Sequence, residues 1–507
     1  MKVKILPTLL FILLVMLYSC GKVITEKPTT VQTTTIDIVS SSNSIPLSKA
    51  IGIAIKFLQS KNPNTTVTIK NSQTIIKNGI PCFHIINANK GFVVLSPDSA
   101  YSPLLAYDNT GNFSFAQNDL NAGLVRWINK HAHELDYIRN NKNSYTDSIV
   151  KKNKILWKTF GNIDFTVSNS SNSTIKPRNL SISKPNPTPF CIGCGCGGCL
   201  PGDPPTLISS VPAYNYTNSI VVPFCGTFWN QGYPYNQYCP AGSFSGGHVP
   251  TGCLPTAMAQ IMYYYKSPST YDWTSMIKYI DGNNPATQPG PANAAGFTES
   301  ARLVHDIGTS SGPVFISAFN NGLFPTAQFA YYQDKITSAE DTYSPYVFGL
   351  FGYSASRTET ITDQVFNGPQ NYTAYADLLV NEITTNNRPC IISAFPDEVH
   401  PWYLGLSGLL LWVPNGNGHS WVCDGSDIST YYWGTTNTYV NYTGTYSQTT
   451  YTSWQTISLL HMNWGEGYYK PGGINNDGFY DCSINYTNFP GNINYPYFQT
   501  IIYNIHL

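Results

Sequence analysis

The strongest helical pattern in the chain lies at residues 253–265. There Leu254, Ala257, Met258, Ile261, Met262 and Tyr265 recur at i, i+3, i+4, i+7, i+8 and i+11. A stripe this broad predicts a central helix buried over most of its surface. Thr251 and Gly252 ahead of it supply a turn, and Pro255 is tolerated in a first helical turn. Nearer the start of the chain, Ile51, Ile55 and Leu58, with Ala54 beside them, predict a helix. Leu124, Ile128, Leu135 and Ile138 predict another over 120–138. Between these two lie β-rich runs at 83–87 and 91–96, joined by Asn89-Lys90-Gly91 as a hairpin turn. A further apolar run at 104–107 ends in the turn 108–111. Residues 45–140 therefore read as a small α+β domain.

Residues 141–205 show no such periodicity. Lys151, Lys152 and Lys154 cluster there, 169–173 is a polar tract, and seven prolines fall between Pro177 and Pro205. This pattern predicts a linker or processing region. Residues 20–44, rich in Thr, Ser and Val, predict a flexible tether, and 206–507 form the main domain. At the start of the chain, Lys2 and Lys4 precede an apolar run at 5–17 interrupted by Pro7 and Thr8. That run is too short to span a bilayer and matches the apolar part of a signal peptide over 1–19. It ends in Leu17-Tyr18-Ser19-Cys20 before Gly21, which resembles a bacterial lipobox. The expectation is export with a lipid anchor at Cys20, on the outer membrane or cell surface or released after processing. An ordinary signal peptide with a chance cysteine is the alternative.

Composition narrows the function classes. A chain of 507 residues holds two or three domains. With 28 basic and 28 acidic residues it offers no basic surface to nucleic acid or to an anionic membrane. Charged residues are only 11% against 14% aromatics, a balance that suits an extracellular protein. Of 12 cysteines, 11 follow Cys20, and an odd remainder is expected if one thiol stays free for chemistry. Cys191, Cys194, Cys196 and Cys199 are crowded together, and two local disulfides are favoured over a metal site in an exported protein.

Cys253 stands at the start of the 253–265 helix, where open N–H groups and the helix dipole favour a thiolate. Taken alone it could equally be a small buried residue. A base, an orienter and an oxyanion donor would make it a nucleophile. His419 follows Gly418 at the head of a β-like run, 417–422. Asn463, in the run 459–465, is a candidate to hold the imidazole tautomer, with Trp464 shielding that bond. Gln231 offers a side-chain amide to an oxyanion, the second donor being a backbone N–H near Cys253. Among rival histidines, His461 would share a strand face with Asn463, His248 lies too close to Cys253 in the chain, and His305 falls on a helix-like segment. No Gly-x-Ser-x-Gly or His-Glu-x-x-His is present.

Assembled, these residues resemble the streptopain family of papain-like cysteine peptidases in its Bacteroidetes-type lipoprotein form. Trp-Asn-Gln-Gly-x-Pro-Tyr-Asn stands at 229–236, Thr-Gly-Cys-x-x-Thr-Ala-x-Ala-Gln-Ile-Met at 251–262 and His-x-x-Val-x-Asp-Gly at 419–425. His-x-Asn-Trp-Gly stands at 461–465 and Asp-Gly-Phe-Tyr at 477–480. The resemblance implies a papain-like fold without cofactor or metal and endopeptidase action on protein or peptide substrates. Cys253 would be the nucleophile, His419 the base, Gln231 the oxyanion residue, Asn463 the orienter and Trp464 its cover. It also implies that 45–140 is the chain's own inhibitory propeptide, so that the protein is made as a zymogen. Departures flank the expected cleft: Ser420 follows the histidine, Glu466 and Gly467 follow Gly465, and 400–414 and 431–454 read as long loops. Two other readings compete. One is Cys-His amidase or transpeptidase chemistry on a non-protein or cell-wall amide, which begins with the same acyl transfer. The other is a non-catalytic surface binding protein, which would have no need of Gln231, Cys253, His419 and Asn463 together.

Overall fold

The computed structural model describes residues 43–507 except 78, 117–119, 163–204, 281–283, 311–329, 333–335, 338, 340, 360–372, 395–398, 404–409, 415–417, 442, 468–474 and 483–499. Residues 1–42, which hold the expected signal peptide, Cys20 and most of the expected tether, and the cysteines at 191–199 lie outside the described residues.

The first helix, α1, runs over Leu47–Lys61 and buries Ala50, Ile53, Ala54, Phe57 and Leu58. Leu58 and Ala54 of the expected stripe lie on this face, whereas Ile51 and Ile55 sit at its margin and Ile53 and Phe57 take the centre. The strands beneath are β1 (Ile69–Lys77), β2 (Ile80–Ala88), β3 (Phe92–Leu95) and β4 (Leu104–Asp108), all antiparallel. Gly91 in the β2–β3 turn has φ +79°, and a Cβ there would meet the Asp108 carbonyl oxygen at 1.8 Å. Only glycine satisfies both conditions.

Helix α2 covers Ala122–Asn140, with Asn121 capping it by accepting from the Leu124 N–H at 2.8 Å. A helix expected nowhere follows. Ser144–Asn162 is α3, not the start of a linker. Leu156, Trp157 and Phe160 enter the same core as α1, whereas Lys151, Lys152 and Lys154 are its solvated face. The lysine run hid the apolar spacing behind it.

The rest of the chain supplies β5 (Thr206–Val221), α4 (Cys253–Tyr265), α5 (Ala294–Gly308), α6 (Ser344–Leu350), β6 (Ser354–Glu359), α7 (Thr373–Thr384), β7 (Cys390–Ala394), β8 (His419–Asn441), β9 (Gly444–Asn463), β10 (Gly478–Asp481) and β11 (Thr500–His506). One 11-stranded sheet runs β1-β2-β3-β4-β10-β9-β8-β7-β11-β6, with β5 alongside β8. The N-terminal strands join the others where Tyr107 and Ala106 of β4 pair with Phe479 and Tyr480 of β10. β8 pairs with β7 over 419–423 and with β5 over 426–440. Residues 431–454, read as a loop, are the outer half of the β8–β9 ribbon. Thr and Tyr dominate both of its faces, so β propensity is present without the apolar alternation that marks a strand in sequence.

Helix α4 fills the centre of the main domain. Leu254, Ala257, Met258, Ile261 and Met262 pack with Trp229, Leu303 and Val304 on one side and Ile391 and Val422 of the sheet on the other. The head of α4 and the head of β8 are thereby set side by side.

Candidate active site

Cys253 is the first residue of α4, and Gly252 before it has φ +90° and ψ 137°. That left-handed backbone favours glycine and turns the chain sharply into the helix. The turn is tied down on both sides. The Thr251 N–H donates to the Gln231 carbonyl at 3.0 Å, and the Thr256 N–H and hydroxyl both reach the Gly252 carbonyl, at 3.1 and 2.8 Å. No side chain caps this end, so the dipole and open N–H groups of α4 act at the thiol.

Burial alone would push the Cys253 thiol up. The hydrogen bond and charge of His419 overcome it, together with the backbone and hydroxyl of Ser420, and the thiol is held below its ordinary value. The other cysteines among the described residues are buried. Burial pushes Cys225, Cys390, Cys423 and Cys482 well up. Cys253 is partly exposed and differs from them in kind.

His419 is buried, and its Nε2 donates to the Trp464 carbonyl at 2.7 Å, leaving Nδ1 for the thiol. Trp421 stacks on its ring, centroids 6.1 Å apart. Burial would lower the imidazole pKa, but the bond and charge of Cys253, the charge of Glu466 and the Trp464 carbonyl raise it above the usual value. A lowered thiol facing a raised imidazole is the signature of a thiolate–imidazolium pair.

Asn463 does not touch His419. Its Oδ1 accepts from the Gly465 N–H at 3.2 Å, and its Nδ2 donates to the Thr227 carbonyl and, at 3.1 Å, to Gln260 Oε1. The amide it holds, between Trp464 and Gly465, is the one whose carbonyl receives His419. Asn463 is therefore linked to His419 through that peptide, and a main-chain acceptor stands where a direct Asn463–His419 bond was expected. Trp464 is fully buried against Trp421 and Tyr480, with its indole N–H on the Asn476 carbonyl at 2.9 Å and its backbone N–H on Asp477 Oδ1 at 2.7 Å. Its main-chain carbonyl, and not only its ring, meets His419.

Gln231 sits half-buried in the loop tied to the Cys253 turn, and its side chain makes no hydrogen bond among the described residues. Three residues of the site escaped the sequence reading. Gln260 lies inside the stripe of α4 and accepts from Thr227, Trp229 and Asn463; a glutamine within an apolar helix face was its signal. Ser420 and Glu466 stood out only as departures.

The remaining histidines turn elsewhere. His461 Nδ1 meets Asp424 Oδ1 at 2.7 Å in the interior, and Asp424 raises its pKa against the effect of burial. His248 bonds to the Cys239 carbonyl at 2.7 Å, and His305 faces Asp306 at 3.4 Å. Among the described residues no cluster of His, Cys, Asp and Glu is arranged to hold a metal ion, and no helix is long and apolar enough to cross a membrane.

A partly exposed thiol at a helix head beside a buried imidazole is the arrangement that cysteine-type acyl transfer requires. Residues 229–480 match the Peptidase C10 family and residues 41–135 the Spi protease inhibitor family. The chain belongs to the C10, or streptopain, family of cysteine peptidases, with an inhibitor-family domain ahead of the peptidase domain. Solved structures similar to it include a mutant fragment of Prevotella intermedia prointerpain A, at 16% identity and TM-score 0.39, covering 87% of this chain and 98% of that one. Active wild-type Prevotella intermedia interpain A cysteine protease is similar at 20% identity and TM-score 0.29, covering 56% and 94%. No curated protein matches.

Proposed function

We propose that the protein is an exported cysteine endopeptidase, made as a zymogen, that hydrolyses peptide bonds of proteins through an acyl-enzyme on Cys253. The observation that carries this is the coupling of Cys253 to His419, with the thiol held low and the imidazole, seated on the Trp464 carbonyl, held high. The Cys253 thiolate attacks the scissile carbonyl carbon, and the electron pair moves to the carbonyl oxygen. The Cys253 N–H and the uncommitted Gln231 amide are the donors for that oxyanion. As the tetrahedral species collapses, the C–N bond breaks and His419 gives its Nδ1 proton to the departing amine. His419 then takes a proton from water, whose oxygen attacks the thioester, and the carboxylic product leaves with the thiolate and imidazolium restored.

Export and the anchor at Cys20 rest on Lys2, Lys4, the apolar run 5–17 and the lipobox-like ending. The test of the chemistry is casein hydrolysis under reducing conditions. Cys253→Ala should abolish it while leaving the circular dichroism spectrum unchanged. Casein still cut by the purified alanine variant would sink the assignment.

A further inference from the structure

The Trp464 carbonyl that holds His419 lies just beyond the sheet. β9 ends at Asn463, whose cross-strand partner is Val422, and Gly465 turns away with φ +71°. The N–H of Trp464 therefore has no ladder partner, and Asp477 supplies one at 2.7 Å. Asp477 is buried, and its own N–H is fixed by Asn475 Oδ1 at 3.0 Å. Its second oxygen, Oδ2, has no partner among the described residues. Burying a carboxylate with one oxygen unmatched costs free energy, and apolar replacement of such a group is often neutral or stabilising. A residue kept at a thermodynamic disadvantage beside the catalytic base points to a functional demand.

We infer that Asp477 is a positioning residue for the base, fixing Trp464 so that its carbonyl meets His419 Nε2; this rests on the mechanism proposed above. The demand is geometric. A base must lie within hydrogen-bond reach of its partner, and misplacement by about 1 Å costs about a hundredfold in rate. Charge is not required of Asp477. Burial pushes its carboxyl up to about 7 against the Trp464 N–H and His461, and Glu466 and Asp108 push it the same way. Below neutrality it is a neutral acceptor, so asparagine is a fair mimic.

The test uses the full chain and iodoacetamide, with alkylation of Cys253 followed by mass mapping. A paired thiolate reacts at about pH 6, whereas any thiol reacts at about pH 10. Asp477→Leu, similar in volume but without an acceptor, should lower the reactivity near pH 6 by about tenfold or more and leave that near pH 10 unchanged. Asp477→Asn should stay within about threefold of wild type, since it still accepts from the Trp464 N–H. Asp477→Ala serves if the leucine variant does not fold. Wild-type reactivity near pH 6 in the leucine or alanine variant would overturn the inference, as would an asparagine variant impaired as severely as leucine. Failure of the proposed mechanism looks different: the wild-type chain would itself show no enhanced Cys253 reactivity near pH 6.

Discussion

At the scale of single residues, the acidity of Cys253 is a balance in which burial opposes its neighbours. His419 provides most of the opposition, and Ser420 adds to it with its backbone and hydroxyl. The hydroxyl is held at 2.8 Å from that of Ser393 on β7. Ser420→Ala removes one hydrogen bond to the thiolate, an effect of about 1 kcal/mol or about fivefold. The sign follows from the lowered thiol: losing a group that favours the thiolate moves the Cys253 pKa up. The acid limb of its pH–alkylation profile should shift to higher pH, with the rate at high pH unchanged. An unshifted acid limb would show that Ser420 does not act on the thiol. Cys253, Gly252 and His419 were legible in the sequence because each is marked by its own neighbours along the chain. Asn463 was legible as a member of the site but not in its role. A bond made through the Trp464–Gly465 amide leaves no trace in residue order, and Asp477 was readable only as part of a motif.

At the scale of elements, α4 organises the site by carrying Cys253 at its head and Gln260 two turns further in. The two glutamines of the site make opposite predictions. Gln260 Oε1 is the buried acceptor for the Thr227 hydroxyl, the Trp229 N–H and Asn463 Nδ2. Gln260→Leu strips those donors of their acceptor, a loss of about 1–3 kcal/mol per orphaned group, and should lower the melting temperature by several degrees. Gln231 is half-exposed and otherwise uncommitted, so Gln231→Ala should leave melting unchanged while reducing kcat by about 10²–10³. Calorimetry and steady-state kinetics on both variants separate the roles. A Gln231→Ala enzyme within twofold of wild-type kcat would make that residue structural. Elements with a clear helical stripe of apolar residues, such as α2 and α4, were legible, whereas those without one were not. α3 was hidden by its lysines, β1 by a polar edge with only Ile75 buried among its described residues, and the outer β8–β9 ribbon by its Thr and Tyr faces.

At the scale of the whole molecule, the inhibitor-type segment is built into the sheet of the peptidase. β4 pairs with β10, and the rings of Tyr107 and Phe479 stack with centroids 5.1 Å apart. Lys61 of α1 meets Asp427 of β8 at 2.6 Å, and Tyr107 and Asn218 donate to the same carboxylate. Gly123 at the head of α2 lies so close to Trp421 and Trp464 that a Cβ would come within 2.6 and 2.8 Å of their rings. Trp127 Nε1 donates to the Asp481 carbonyl at 3.0 Å. The α+β character of the N-terminal segment was legible from local patterns and the fold of the main domain only through its family motifs, but this depth of docking was not, since every contact joins residues hundreds of positions apart. It changes what a cut in the connection should do. Severing the chain between α3 and β5 removes only the effective concentration supplied by the tether, commonly millimolar. The docked surface resembles a domain core divided in two, the kind that holds without a tether. The nicked protein should therefore stay associated and latent, and peptidase activity should appear only once the 43–162 segment dissociates or is digested. Size-exclusion chromatography of nicked Cys253→Ala protein, which cannot process itself further, should give one species containing both fragments. Initial rates of uncut and freshly nicked wild-type protein on one fluorogenic peptide should both be low, and the nicked form should gain activity slowly after dilution. Lys61→Met, which leaves Asp427 buried without its cation, should hasten that gain about tenfold or more. Immediate full activity on nicking, with the fragments eluting apart, would mean that the tether and not the interface maintains latency.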